Sequence, residues 1–179
     1  MRTVVVHKDV AAPPAALFAL LTDPHRHAGL DGSGMLRGRP EGPRSLTLGD
    51  RFSMGMRQGG IPYRSVNTVV EYETDRLLAW ETWGELAGRR LVGGQRWRYA
   101  LQPLESGGTR VTHTYDWRGA RFPRLAVELP GYPARMGPAM TRTLSRLAAY
   151  AEGAADGRQG LSFGSGQTPR ARHDPNDSP

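Results

Sequence analysis

Trp97-Arg98-Tyr99-Ala100-Leu101-Gln102-Pro103-Leu104-Glu105-Ser106-Gly107-Gly108-Thr109-Arg110-Val111-Thr112-His113-Thr114-Tyr115-Asp116-Trp117 carries the clearest pattern in the chain. Val111, His113, Tyr115 and Trp117 alternate with Thr112, Thr114 and Asp116, and Trp97, Tyr99 and Leu101 alternate with Arg96 and Arg98. A period of two puts successive side chains on opposite faces of a strand. The Glu105-Ser106-Gly107-Gly108 loop has the chemistry of a reversal, so the stretch predicts an antiparallel hairpin of strands 91–101 and 110–117. The larger, more apolar face of each strand belongs inside.

The same alternation extends upstream. Strands are predicted at 51–56, with Phe52, Met54 and Met56 on one face, at 63–72, and at 76–83 after a turn at Glu73-Thr74-Asp75. A short strand is predicted near 35–38. Residues 2–10 form the opening strand, and Pro13-Pro14 opens a helix running through Leu21. Thr22-Asp23-Pro24 stops that helix and starts a second, with Asp23 as N-cap; it ends near Gly29. Residues 119–135 are irregular, with a helical piece at 125–129. A last helix is predicted over 138–152, where Met136, Met140, Leu144, Leu147 and Ala151 make one apolar stripe and Arg142 and Arg146 take the other face.

A length of 179 residues suits one domain. Absence of cysteine excludes disulfides, thiolate metal sites and cysteine nucleophiles. No run approaches the roughly 20 apolar residues that cross a bilayer, and Met1–His7 has no signal-peptide pattern, so the expected location is the cytoplasm, without membrane insertion. The net charge of +7 comes from 24 basic residues of which only Lys8 is lysine. The arginines are spread from Arg2 to Arg172 with no dense block, so nucleic-acid binding is not expected. From Ala154 to Pro179 the only large apolar residues are Leu161 and Phe163. That composition predicts a disordered tail following a domain over 1–153.

The order strand, two short helices, antiparallel strands and one long helix resembles the START-like, or SRPBCC, superfamily of helix-grip proteins. Val10–Pro24, Leu77-Leu78-Ala79-Trp80 and the hairpin 97–112 resemble that family's opening segment, middle strand and last hairpin. The segment Asp23–His27 with Asp31-Gly32-Ser33-Gly34 is similar to a bacterial branch described as polyketide cyclase/dehydrase or lipid transport. The resemblance implies an α+β fold: a curved antiparallel sheet of six to seven strands gripping the C-terminal helix around an apolar cavity. It implies a hydrophobic small-molecule ligand, no cofactor and no metal, and leaves monomer or homodimer open.

Alternation then names the expected cavity wall on three strands, Phe52, Met54 and Met56; Gln95, Trp97, Tyr99 and Leu101; and Val111, His113, Tyr115 and Trp117; Tyr63 is added as a polar handle, Trp80 by the resemblance, and Met136, Met140 and Leu144 from the helix stripe. His113, between Val111 and Tyr115, would be an imidazole in apolar surroundings, suited to proton transfer with Tyr115 and Tyr99; it would equally serve as a core histidine bonded to a carbonyl. Tyr63, Tyr99, Tyr115 and Gln95 would hold a substrate oxygen or simply pack. Either Trp80 or Glu81 points inward, and an inward Glu81 would be a buried carboxylate of raised pKa. His25 and His27, two residues apart, do not share a helix face and do not suggest a metal site. Asp31 would brace the glycine-rich turn or stand at the cavity mouth.

Three functions compete on this reading. A cyclase-like enzyme would hold an apolar, oxygenated intermediate and promote cyclisation or dehydration. A carrier or sensor of a lipid would need the same cavity without chemistry. An interaction module would use the arginine-rich outer face.

Overall fold

The computed structural model of the chain describes residues 2–58, 60–86 and 89–162. Seven strands follow the expected order: β1 (Thr3–Val10), β2 (Leu36–Glu41), β3 (Arg51–Gln58), β4 (Ile61–Glu73), β5 (Leu77–Leu86), β6 (Arg89–Pro103) and β7 (Thr109–Asp116). Helices α1 (Pro14–Leu21) and α2 (Pro24–Leu30) lie between β1 and β2. A π-helical turn (Arg124–Glu128) and the long helix α3 (Tyr132–Ser162) complete the chain.

The strands form one sheet in the order β1-β7-β6-β5-β4-β3-β2. Every pairing is antiparallel, and β1 crosses to join β7, with Val6 opposite His113. Register shifts interrupt the β4–β5 pairing between Val69 and Glu71 and the β5–β6 pairing at Thr82/Trp83 and Gly84/Glu85. Such bulges bend a strand and deepen its twist, so the sheet curves around α3. This is the helix-grip α+β architecture.

Local chemistry explains the helices. Pro14 starts α1, which buries Leu17, Phe18 and Leu21. The Thr22 hydroxyl donates to the Phe18 carbonyl at 2.9 Å, closing that end. The Asp23 carboxylate accepts from the His25 N–H at 2.9 Å and caps α2. The turn after α2 is then clamped onto α3. Gly32 N–H donates to Thr143 Oγ1 at 2.9 Å, Arg142 Nε donates to the Gly32 carbonyl at 2.9 Å, and Arg146 donates to the Asp31 carbonyl. A Cβ on Gly32 would sit 2.1 Å from the Ala139 carbonyl oxygen, so only glycine allows this approach.

Two ends of α3 differ from expectation. The helix begins at Tyr132 instead of Pro138, which lies inside it. Proline removes one backbone donor, but the carbonyl it leaves free, at Ala134, belongs to an exposed residue that water can reach. Met136 meanwhile anchors the extra turn in a cluster with Trp117 and Val127. The helix also runs past Glu152 to Ser162, through a stretch with no proline to stop it. Residues 163–179 of the expected tail lie outside the described residues. The stripe Met136, Met140, Leu144, Leu147 and Ala151 is buried throughout. Arg142 and Arg146 are exposed, as their face predicts.

Candidate functional site: a lined cavity between sheet and helix

Between the concave sheet face and α3 lies a cavity of about 640 Å³. Its apolar wall includes Phe52, Met54 and Met56 from β3, Trp80 from β5, Trp97 from β6, and Met136 and Met140 from α3. Tyr63, Gln95, Tyr99, His113 and Tyr115 also line it. The strands thus bring together nearly the whole wall predicted from alternation. Trp117 and Leu144 do not line it. Trp117 is buried beneath the π-helical turn, its indole N–H donating to Glu128 Oε1 at 3.2 Å. Leu144 lies in the packed core with Leu17, Leu21 and Leu147. Leu101 and Val111 are also buried in that core. Periodicity fixes the face of a side chain, whereas depth along the strand or helix decides between cavity and solid core.

The choice at β5 is settled. Trp80 points in; Glu81 lies on the outer face, 3.7 Å from Arg96 and accepting from Trp83 Nε1 at 2.7 Å. Arg98 and Arg110 pair on the outside with Glu71 and Asp9. The outer arginines are therefore distributed over ion pairs.

An aromatic band crosses the cavity floor. Trp80 stacks on His27 at 5.2 Å and leans on Tyr99 at 5.6 Å. Tyr99 stacks on His113 at 4.0 Å, 16° from parallel. Trp97 packs on Tyr115 at 4.4 Å. The register produces two of these pairs directly, since Tyr99 is opposite His113 and Trp97 opposite Tyr115, and Trp80, opposite Trp97, reaches Tyr99 on the diagonal.

His113 is buried, and neither ring nitrogen has a hydrogen-bond partner. The carbonyl bond of a core histidine, one of the two alternatives for this residue, is absent. Desolvation pushes its pKa down to about 3, so the ring is neutral near pH 7. His27 behaves differently: its Nε2 bonds the Leu21 carbonyl at 2.8 Å, while burial lowers its pKa. Burial raises the pKa of Tyr63, Tyr99 and Tyr115, which keeps all three hydroxyls protonated. Tyr63 is hydrogen-bonded to Tyr132, and Tyr115 to Gln95.

Asp31 lines the cavity but is occupied as a brace. Its carboxylate accepts from Ser33 N–H, Ser33 Oγ, Met35 N–H and Leu36 N–H at 2.6–3.1 Å. His25 is exposed, on the far side of α2 from His27. Among the described residues, no group of three His, Asp or Glu side chains is placed to hold a metal.

Sequence reasoning named Gln95 but missed Asn67 and Thr82, which join it in a polar row. Asn67, Thr82 and Gln95 occupy facing positions on β4, β5 and β6. Thr82 Oγ1 donates to Asn67 Oδ1 at 2.7 Å, and Gln95 leads on to Tyr115. Asn67 and Ser65 are almost fully buried. An asparagine in mid-strand is disfavoured by propensity, and that was the available signal. No arginine or lysine lines the cavity among the described residues. Two carboxylates do line it, Asp31, bonded to its own turn, and Glu85, 3.9 Å from Arg51, and the chamber otherwise offers apolar bulk with polar groups along one side.

Comparison with known proteins places the chain. The sequence profile described as polyketide cyclase/dehydrase and lipid transport matches residues 1–152. The uncharacterized protein Rv0088 of Mycobacterium tuberculosis is 35% identical over 151 residues, covering 82% of this chain and 63% of its own length. The match therefore spans less than two thirds of that relative. Protein NE0264 of Nitrosomonas europaea shares the fold with a TM-score of 0.63 at 17% identity, covering 86% of this chain and 96% of its own. DynU16, from the dynemicin biosynthetic locus, superposes with a TM-score of 0.57 at 18% identity, covering 85% of this chain and 48% of its own.

Proposed function

The chain belongs to the polyketide cyclase/dehydrase and lipid transport family, and on that premise we propose that its cavity binds a flexible, uncharged, oxygenated chain and promotes its cyclisation or dehydration. The observation that carries this reading is the row Asn67–Thr82–Gln95–Tyr115 set across an otherwise apolar, aromatic chamber. Apolar walls gain from burying a hydrocarbon skeleton, while the row gives its oxygens a fixed side. Confining a flexible chain in one reactive geometry supplies a large part of such a rate enhancement.

In this reading Tyr115 and Tyr99 act as hydrogen-bond donors, because burial keeps both hydroxyls protonated. His113 serves as a neutral imidazole. Its pKa of about 3 makes it a poor base near pH 7 but leaves one N–H and one lone pair unused. A neutral N–H donates to oxygen charge developing as a carbonyl enolises. That DynU16 comes from a biosynthetic locus is consistent with such chemistry but is a property of DynU16.

A second reading, a carrier of a lipid or similar molecule, is favoured by the engagement of the titratable groups at the wall: His113 is weakly basic, Asp31 is bonded to its turn and Glu85 pairs with Arg51. Two measurements separate them. Native mass spectrometry of freshly purified protein, showing an unmodified co-purified lipid, supports the carrier. Incubation with poly-oxygenated chain intermediates, giving a cyclised or dehydrated product that Tyr115→Phe and His113→Phe both diminish, supports the enzyme. Wild-type turnover in both variants overturns the assigned roles.

A further inference from the structure

One end of the domain exposes an apolar surface that the cavity does not use. Phe122, Leu125 and Leu129 are 55%, 68% and 75% exposed, in and on either side of the π-helical turn. The inner side of the same turn is buried Val127, while Ala126 and Pro130 line the cavity. Arg121 N–H donates to the Gly93 carbonyl at 2.8 Å, which ties the segment to β6 next to Val92, itself part of the cavity wall. Singly scattered exposed apolar residues are ordinary; three gathered at the rim of a cavity are not. Phe122 is also held at φ 53°, a strained backbone for a residue with a Cβ.

Charge singles out the occupant. Residues 118–135 contain four arginines and one acid, Glu128. That acid is bonded to Arg2 and Trp117, and Arg118 is paired with Asp116. Arg121 and Arg124 are exposed beside the apolar residues, and Arg135 is exposed one turn into α3, over the Tyr132 ring. Apolar side chains ringed by arginine are the composition of an element that lies in a lipid interface. A second copy of the chain would bring the same positive charge and be repelled.

We propose that this end of the domain docks on an anionic lipid surface, Phe122, Leu125 and Leu129 entering the interface and Arg121, Arg124 and Arg135 meeting the phosphates. The docking stands on the patch alone. Its use, passage of an apolar ligand between lipid and cavity without exposure to water, rests on the ligand-binding reading above.

The test is cosedimentation of the full chain with vesicles of phosphatidylcholine alone and of phosphatidylcholine mixed with phosphatidylglycerol. Binding is expected to the mixed vesicles, falling as salt is raised. Leu125→Ser/Leu129→Ser and Arg121→Gln/Arg124→Gln are each expected to lower partitioning by about tenfold. All four side chains are exposed, so unchanged thermal melting will show that the variants fold. Equal partitioning of the variants and the parent, or no partitioning at all, overturns the proposal; so does salt-sensitive binding to an acidic protein without binding to vesicles. Uptake of the uncharged dye Nile red in vesicle-free solution reports on the cavity separately. Dye binding without vesicle binding sinks the docking alone, and vesicle binding without dye uptake sinks the ligand-binding reading alone.

Discussion

The imidazole of His113 lies 4.0 Å from the ring of its cross-strand partner Tyr99, nearly parallel to it, with both nitrogens buried and unbonded. A buried polar atom without a partner costs about 1–3 kcal/mol. Stacking fixes the ring but satisfies neither nitrogen, so the site is maintained at a cost to stability.

That arrangement predicts an acid-sensitive fold. The unfolded chain takes up a proton on His113 near pH 6.5, whereas the folded chain resists it until about pH 3. Stability from this group is therefore complete above about pH 6.5 and falls by about 1.4 kcal/mol per unit as the pH drops toward 3. His27, also depressed by burial, acts in the same direction. His113→Phe should flatten part of this slope and be neutral or stabilising at pH 7. Urea unfolding at about pH 7, 5.5 and 4 checks this; parallel losses in parent and variant would refute it.

Asp31 should matter to stability more than its place at the cavity suggests. Its carboxylate gathers three backbone N–H groups and the Ser33 hydroxyl. Asp31→Ala leaves partly buried donors unsatisfied and should cost about 2–4 kcal/mol. Asp31→Asn, keeping one acceptor, should cost less. Thermal melts of the two variants rank them, and an Ala variant as stable as the parent would remove the bracing role.

Gly32→Ala should destabilise by about 3 kcal/mol or more, since the new methyl meets the Ala139 carbonyl and the Thr143 N–H of α3. Gly34→Ala meets no neighbour but sits at φ 69°, and should cost only about 1 kcal/mol. Denaturant midpoints of the pair give the comparison; equal losses would mean that α2 and α3 do not depend on this close approach.

The polar row can be tested with two probes of one shape. Anthraquinone differs from anthracene by two carbonyl groups. Gln95→Leu and Thr82→Val should each reduce the preference for anthraquinone about fivefold, one hydrogen bond's worth, and leave anthracene binding nearly unchanged. Quenching of tryptophan fluorescence reads both. A preference that survives both substitutions would show that the oxygens are held elsewhere.

The elements themselves were legible in the sequence because their signals are local. Alternation at 110–117 placed Val111, His113, Tyr115 and Trp117 on the inner face, and Asp23-Pro24 marked the start of α2. Pro138 misled for the same reason: a lost donor is a local penalty, and only packing of Met136 against Trp117 and Val127 explains why the helix begins earlier. Asn67 was overlooked because its meaning comes from Thr82 and Gln95, which face it only after three strands pair.

By itself, then, the sequence determined the helix-grip order of elements and the inward face of each strand, since a two-residue period and helix caps are written in neighbouring residues. Tertiary structure alone decided that Trp117 and Leu144 fill the core while Trp97 and Met140 border a cavity, that Trp80 faces in, and that His113 has no partner. Those outcomes depend on depth along curved strands and on pairs such as Val6 with His113, 107 residues apart in the chain, where no local pattern reaches.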